Sequence, residues 1–439
     1  MKFVKISNNC HSSSCPFPTL GGDGTTCLLL PFSSVTCQLS IHLFYSHIIL
    51  HAFNPSLLWS SSNSRSVHIH AQHPSCNANT SRKSSTSAKK KSFVGGIYKK
   101  SPFIFVSDGL VLPVLLIACD RVTVKRCLDN LVKFRPNKDI FPIIVSQVNA
   151  DPTISIVRQP DLSEIPLPRA KVKFRGYYKI ARHYKFALNH VFKTLGHDAV
   201  IIVEDDLDIS QDFFEYFLGT YPLLLKDPTL WCISAWNDNG KKDVIDLSHP
   251  ELLHRTDFFP GLGWTLRRET WLTLERKWPE AFFDDWLRDP ENTDGRACIR
   301  PEVSRTFTFG KIGVSKGLFY DMHLRAMQLN MEYVEFTKLN LTYLLKENYD
   351  EALHNTVYSL PEMSADEIIN SADSGTPVRV GYSSAKTFQK AAKKLGLMDD
   401  FRSGVPRTAY LGIVSCFVKS RRVYLAPTFP WHRYDPNWG

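Results

Sequence analysis

Three consecutive carboxylates, Glu204, Asp205 and Asp206, follow directly on the apolar run at 199–203. Acids cannot share the interior of such a run, because each buried charge would need a partner. They can sit where open α/β sheets take their ligands, in the crevice beyond the carboxyl ends of the strands. Hard oxygens clustered there suit Mg2+ or Mn2+, and such an ion would in turn hold a diphosphate. Taken alone, the triplet is better read as a solvated turn capping the helix suggested by residues 212–217, and it is the blocks further along the chain that reverse this. Further along, Gly310, Gly313 and Gly317 surround Val314 and Ser315. That spacing suits a loop that closes over a bound nucleotide and excludes water, with Ser315 donating to a phosphate.

The elements around these residues read as an α/β protein. The Val/Ile-rich run at 199–203 fits a strand buried on both faces of a parallel sheet. Residues 110–118 form a similar run ended by CysAspArg (119–121), 122–134 have helical spacing, and 141–146 suggest a second strand. This order is the βαβ unit of a mostly parallel sheet. No GxGxxG follows the first strand, so a dinucleotide redox fold is not supported. An amphipathic helix over 177–192 feeds the central strand. A helix over 212–225, a strand over 230–236 and a turn at 237–240 come after the acids. From 258 to 324 the chain is dense in aromatic, Gly and charged residues with little periodicity, as functional loops are. Beyond 338, strands are expected at 379–382, 412–418 and 421–425, and a helix at 388–396 ending in Gly. The division expected is a leader and stem over 1–100, a catalytic domain over 108–335 and a smaller domain over 336–439.

Charge and cysteine usage exclude two classes. Of 53 Lys and Arg residues, ten lie in the first hundred positions against one acid, Asp23. The remainder holds 43 basic and 42 acidic residues, so the net charge of +10 belongs to the leader and gives no reason to expect a nucleic-acid partner. Ten cysteines without CxxC spacing exclude a zinc-ribbon pattern. Within the leader, residues 39–53 are its most apolar part, but three histidines and two serines interrupt them. A spanning helix needs about 20 predominantly apolar residues, so this is a weak signal-anchor candidate. The Ser/Lys-rich stretch that follows reads as a flexible stem.

Several longer blocks occur in a fixed order: GluAspAspLeuAspIleSerGlnAspPhePheGluTyrPhe (204–217), TrpCysIleSerAlaTrpAsnAspAsnGly (231–240), ThrAspPhePheProGlyLeuGlyTrp (256–264), LysTrpProGluAlaPhePheAspAspTrp (277–286) and GlyArgAlaCysIleArgProGluValSerArgThr (295–306). Together they closely resemble the animal-type alpha-1,3-mannosyl-glycoprotein 2-beta-N-acetylglucosaminyltransferase (N-acetylglucosaminyltransferase I) family. The resemblance runs from about residue 110, through ArgSerGlyValProArg (402–407), to TyrAspProAsnTrp (434–438); residues 1–100 show none. It implies a GT-A glycosyltransferase fold, Mn2+ dependence, UDP-GlcNAc as donor and mannose-terminated N-glycans on glycoproteins as acceptors. It also implies a single-pass type II protein of the Golgi membrane with a luminal catalytic domain. By resemblance Asp206 is the direct metal ligand, and Glu204 and Asp205 hold the donor sugar and ribose. Arg121, His183, Leu262, Val314, Ser315 and Leu324 match further donor contacts, and Cys232 and Cys298 match a disulfide. Asp284 matches the base; by composition alone Asp285 could fill that role or serve as a structural hydrogen-bond acceptor. Other readings are a GlcNAc transferase acting on O-mannosyl protein glycans, and an inactive nucleotide-sugar- or glycan-binding paralogue.

One departure has consequences. After SerGln (146–147) the family has AspCys and a longer segment, whereas Val148 and Asn149 stand here and the chain rejoins at ArgGlnProAspLeu (158–162). The missing Asp is a uracil-binding residue, and the missing Cys is the usual partner of Cys119. Weaker donor binding and a free Cys119 thiol are the expectation, since an unpaired buried donor costs about 1–3 kcal/mol.

Overall fold

The computed structural model describes residues 109–438 apart from 119–121, 148–155, 312, 315–316, 318–319, 322 and 373–374. The leader with its anchor candidate, Cys119, Arg121, Val148, Asn149 and Ser315 lie outside the described residues. Among those described, no helix is long and apolar enough to cross a membrane.

The first unit in the chain is β1 (Val114–Ala118), α1 (Thr123–Phe134) and β2 (Ile143–Gln147), as the periodicity predicts. Next come β3 (Ile156–Arg158), α2 (Arg175–Asn189), β4 (Ala199–Glu204), β5 (Leu207–Ile209) and α3 (Phe213–Lys226). The stretch over 258–324, expected to be largely irregular, carries more regular structure than its sequence suggests. After β6 (Leu230–Ser234) and β7 (Leu253–Thr256) it supplies β8 (Trp264–Arg267), α4 (Arg268–Leu274), α5 (Phe283–Leu287), β9 (Ala297–Pro301) and β10 (Thr306–Thr308). These elements are short, so none repeats a helical or strand period long enough to register.

Eight strands form one sheet in the order β3-β2-β1-β4-β8-β6-β9-β7. The half from β3 to β4 is parallel throughout, while β8 runs antiparallel to both β4 and β6. The sheet is therefore mixed, and its parallel half is the one that ends in the acids. Side-chain alternation explains the unbroken apolar runs. In β4, Ala199, Ile201 and Val203 enter the core beneath α1 and α3. Val200 and Ile202 enter the core beneath α2, α4 and α5. A strand covered on both faces needs apolar residues at every position, which is the pattern seen.

Two cross-links stiffen the sheet behind the site. Cys232 on β6 and Cys298 on β9 are direct register partners and form a disulfide. Closing a loop of 66 residues is worth about 4 kcal/mol by chain entropy. Arg305 and Asp212, both fully buried, pair at 3.1 Å, and Asp212 also accepts from Ser210 Oγ at 2.6 Å and Asn330 Nδ2 at 2.9 Å. A buried pair persists only when its remaining polar atoms are satisfied in this way.

A third core gathers α7 (Ala365–Asn370), β11 (Val378–Tyr382), α8 (Ala385–Lys394), β14 (Val414–Val418) and β15 (Arg421–Pro427). Between α8 and β14 run the two-residue strands β12 (Phe401–Arg402) and β13 (Val405–Pro406). Before this core, α6 (Lys346–Tyr358) and Phe336, Leu341 and Leu344 pack into the core of the large sheet. Segment 336–357 is thus tied to α3, while the end of α6 also reaches the third core, where Tyr358 Oη donates to Pro427 O on β15 at 3.0 Å. Gly219 on α3 makes the closest of these contacts: a Cβ there would lie 2.5 Å from Phe336 Cβ and 2.6 Å from its carbonyl carbon.

Gly219→Ala tests that packing. Helix propensity alone would make the change favourable by about 1 kcal/mol, whereas the steric conflict predicts a loss of about 1–3 kcal/mol. A lower urea midpoint for the variant is the expected result; a higher one means that Phe336 yields without cost.

Candidate functional site at the carboxyl end of β4

β4 stops at Glu204, and the chain turns through Asp205 and Asp206 into β5. β5 pairs antiparallel with β10, and this pairing fixes the backbone of the acids: Thr308 lies opposite Leu207, and the Phe309 N–H donates to Asp206 O at 3.0 Å. Asp208 on β5 is held by Arg126 Nε at 2.9 Å and Asn130 Nδ2 at 2.8 Å, both from α1. Arg126 in turn stacks 4.0 Å above the Phe309 ring. Cations and aromatic faces thus hold the outside of the turn and leave its other side to the crevice.

Within the crevice the carboxylates influence one another. Glu204 Oε1 accepts from Tyr184 Oη on α2 at 2.5 Å. Burial pushes the Glu204 carboxyl up to about 7, and the charge of Asp206 adds to it. Tyr184 opposes the shift, while Asp205 and Asp284 reinforce it. Like charges in a partly dry site disfavour further ionisation, and a bound cation would relieve them. Asp205 is buried and Asp206 half-buried. Gly310 sits flush against Asp206: a Cβ built there would fall 2.0 Å from Oδ2. Among the described residues no group of three His, Cys, Asp or Glu side chains is arranged to hold a metal.

Asp284 and Asp285 open the short helix α5, whose N-cap Phe282 is left-handed at φ 54° and stacks on Tyr177 at 4.5 Å. The helix rests on Tyr184 through Phe283, with ring centroids 4.2 Å apart. The two acids differ in what holds them. Asp285 Oδ1 accepts from Arg288 Nη1 at 2.9 Å and from Arg402 Nε at 3.0 Å. Asp284 is the more exposed at 42% against 30%, and among the described residues only Arg288 holds its side chain, through Oδ2 at 3.1 Å. Its charge reaches both Glu204 and Tyr184, and Phe283 beside it packs on Tyr184, which itself donates to Glu204, so α5 lies beside the acidic turn.

The remaining expected residues divide. His183 on α2 is buried and shares a hydrogen bond with Ser146 at 2.9 Å. Burial holds its ring down to about 4, so it is neutral near pH 7. Leu262 takes φ 49° between Gly261 and Gly263, both also at positive φ. Its carbonyl accepts from Thr306 Oγ1 at 2.6 Å, which secures a strained turn beside β10. Val314 reaches α2, where a Cβ on Gly176 would fall 2.8 Å from its Cγ2. The loop after β10 thus extends from Asp206 to the start of α2. Leu324 lies in a short turn over Leu324–Ala326, partly exposed, and no described contact ties it to the acids. Sequence reading missed Tyr184, Arg288 and Arg402. Tyr184 reads as one more core position of an amphipathic helix, whereas Arg402 lies in a motif that the sequence does single out.

The fold and site together describe an α/β protein with clustered acids at a strand end and a separate carboxylate facing them, an arrangement suited to group transfer from a phosphate-bearing donor. The chain belongs to the GNT-I family, whose model matches residues 61–438. The match begins well before residue 110, so part of the stretch read as unrelated stem belongs to it. An alpha-1,3-mannosyl-glycoprotein 2-beta-N-acetylglucosaminyltransferase of Arabidopsis thaliana is 36% identical over 329 residues, which are 72% of this chain and 73% of that protein. Among solved structures, a mannosyltransferase from Pyrobaculum calidifontis in complex with GDP-Man and Mn2+ is 16% identical with a TM-score of 0.26. That likeness covers 43% of this chain, which spans about half (54%) of that one. S. aureus TarS 1–349 is 12% identical, with 65% of this chain and 71% of that one covered and a TM-score of 0.28.

Gly310→Ala is the sharpest probe of the turn. Asp206 or the loop must move to admit the Cβ, so metal-dependent donor binding should fall at least ~10-fold while the melting temperature stays within a few degrees. Calorimetry with UDP-GlcNAc and Mn2+ that shows unchanged affinity would separate Gly310 from the ligand site.

Proposed function

We propose that this chain is an inverting N-acetylglucosaminyltransferase. It moves GlcNAc from UDP-GlcNAc, in β-1,2 linkage, to the 2-hydroxyl of the α1,3-linked mannose of a high-mannose N-glycan. Membership of the GNT-I family and the identity with the Arabidopsis enzyme support this reading. The single structural observation that carries it is that Asp284 faces the acidic turn from a separate element while Asp285 is clamped by two arginines.

Asp284 Oδ1 accepts no hydrogen bond among the described residues, so it is the atom placed to take the proton from the attacking hydroxyl. Arg288 holds the other oxygen and with it the side chain's direction. Glu204, fixed by Tyr184, and Asp205 hold the donor's sugar and ribose. Asp206 would hold Mn2+, which when bound neutralises the leaving diphosphate. The loop carrying Val314 covers the donor and excludes water, so the sugar passes to the glycan rather than to solvent. His183 and Leu262 line the donor side of the crevice. Operation at the Golgi membrane, with the catalytic part in the lumen, completes the proposal; the disulfide between Cys232 and Cys298 is compatible with that oxidising compartment.

The test is transfer of labelled GlcNAc from UDP-GlcNAc to a mannose-terminated N-glycan, with and without Mn2+. An O-mannosyl glycan serves as the competing acceptor. Metal-dependent transfer to the N-glycan is expected, and no transfer to either acceptor would exclude the enzyme reading. Asp284→Asn should lower turnover at least ~10²-fold while leaving UDP-GlcNAc affinity intact, the scale of a lost general base. Near-normal turnover in Asp284→Asn alongside an inactive, well-folded Asp285→Asn would move the role one residue along.

A further inference from the structure

Arg300 on β9 belongs to the block at 295–306, yet the proposed reaction makes no use of it. The residue is 2% exposed, and no ion pair joins it among the described residues. Its Nη1 donates to the Pro301 carbonyl at 3.3 Å, and its Nε has no acceptor. The nearest candidate counter-ion, Glu302, is already occupied. It accepts from the Asp246 N–H at 2.8 Å, from His254 Nε2 at 2.7 Å and from Arg422 Nη1 at 2.9 Å. Asp246 is likewise engaged, by Ser248 and by His249 Nδ1 at 3.0 Å. A buried guanidinium with donors to spare is costly unless something anionic meets it.

Arg300 faces a cavity of about 740 Å³ between β7, α6 and the third core. Polar side chains in its wall include Thr356, Ser415, Arg422 and Tyr424, and Leu252, Leu353 and Ile413 supply apolar surface. None of Glu204, Asp205, Asp206, Leu262, Asp284 or Val314 lines it, so it is separate from the crevice at β4. A cleft with apolar walls and a few directed polar groups is the usual form of a small-molecule site. A planar guanidinium fork matches an oxyanion in two hydrogen bonds.

We propose that this cavity is a second ligand site, which takes a small oxyanion, a phosphate or a carboxylate, on Arg300. A free inorganic anion and the acidic group of a larger apolar molecule share this chemistry. The apolar walls favour the larger molecule, and the two are separable with inorganic phosphate and phenyl phosphate as probes. The proposal is independent of the transferase reading and is tested without turnover.

Full-length protein in EDTA and an anion-free buffer would be melted with increasing phosphate or phenyl phosphate, and the affinities measured by calorimetry. Wild type should gain melting temperature with both probes, because a ligand that binds only the folded state stabilises it, and phenyl phosphate should bind more tightly. Arg300→Met, an apolar replacement of similar length, should lose at least ~10-fold in affinity for both. It should melt within a few degrees of wild type when no anion is present, since it breaks no ion pair among the described residues and gives up only the longer-range attraction of Glu302 and Asp238. Wild type indifferent to both probes, or Arg300→Met retaining their effect, would overturn the proposal. So would a variant that unfolds or melts much lower without anion, because Arg300 would then be a structural residue that needs no ligand. Equal affinity for the two probes would remove the larger molecule and leave a site for the free anion.

Discussion

The end of β4 concentrates negative charge that the rest of the molecule must both hold and use. A strand buried on both faces delivers Glu204, Asp205 and Asp206 into one crevice, where burial and mutual repulsion drive Glu204 up to about 7. Left to itself such a turn would open toward solvent. It is kept closed by the β5–β10 pairing, by Arg126 and Asn130 on Asp208, and by the buried Arg305–Asp212 pair behind it. The hydrogen bond from Tyr184 fixes Glu204 and also ties α2 to the site. The charge is thus preorganised, since the acids cannot disperse, and it is this fixed charge that the proposed metal and donor would meet.

The same economy of contacts sets the two roles of the α5 acids apart. Adjacent aspartates at the start of a helix are chemically alike. What separates them is Arg402, brought from 117 positions along the chain to Asp285. An acid between two guanidiniums is a structural joint that fixes the angle of α5 against the C-terminal segment. The neighbour left with one arginine and more exposure keeps an oxygen that accepts no hydrogen bond among the described residues. This arrangement makes the C-terminal core part of the site's support, although it contributes no atom to the acidic turn.

How much of this the sequence discloses follows from the range of the interactions. The first βαβ unit and β4 are legible because their periodicity is local and their faces are wholly apolar. The acids are legible because charge interrupts that pattern. The difference between Asp284 and Asp285 is not, because it depends on Arg402 and on the fold that brings it near. Tyr184 is hidden because a buried hydroxyl and a buried ring occupy the same helical position. The short elements between 258 and 324 are hidden because each is too brief to show a period. Gly310 shows in sequence as one glycine of a loop, and only the packing against Asp206 reveals why a side chain cannot stand there.

One measurement addresses the acidic turn directly. Titration of Mn2+ into the metal-free protein, followed by electron paramagnetic resonance, counts bound ions with and without UDP. A site of one protein carboxylate completed by ligand oxygens predicts weak uptake by the protein alone and one tightly bound ion per chain once UDP is added. Tight stoichiometric uptake without UDP, or no uptake in its presence, would contradict a diphosphate-completed metal site on Asp206.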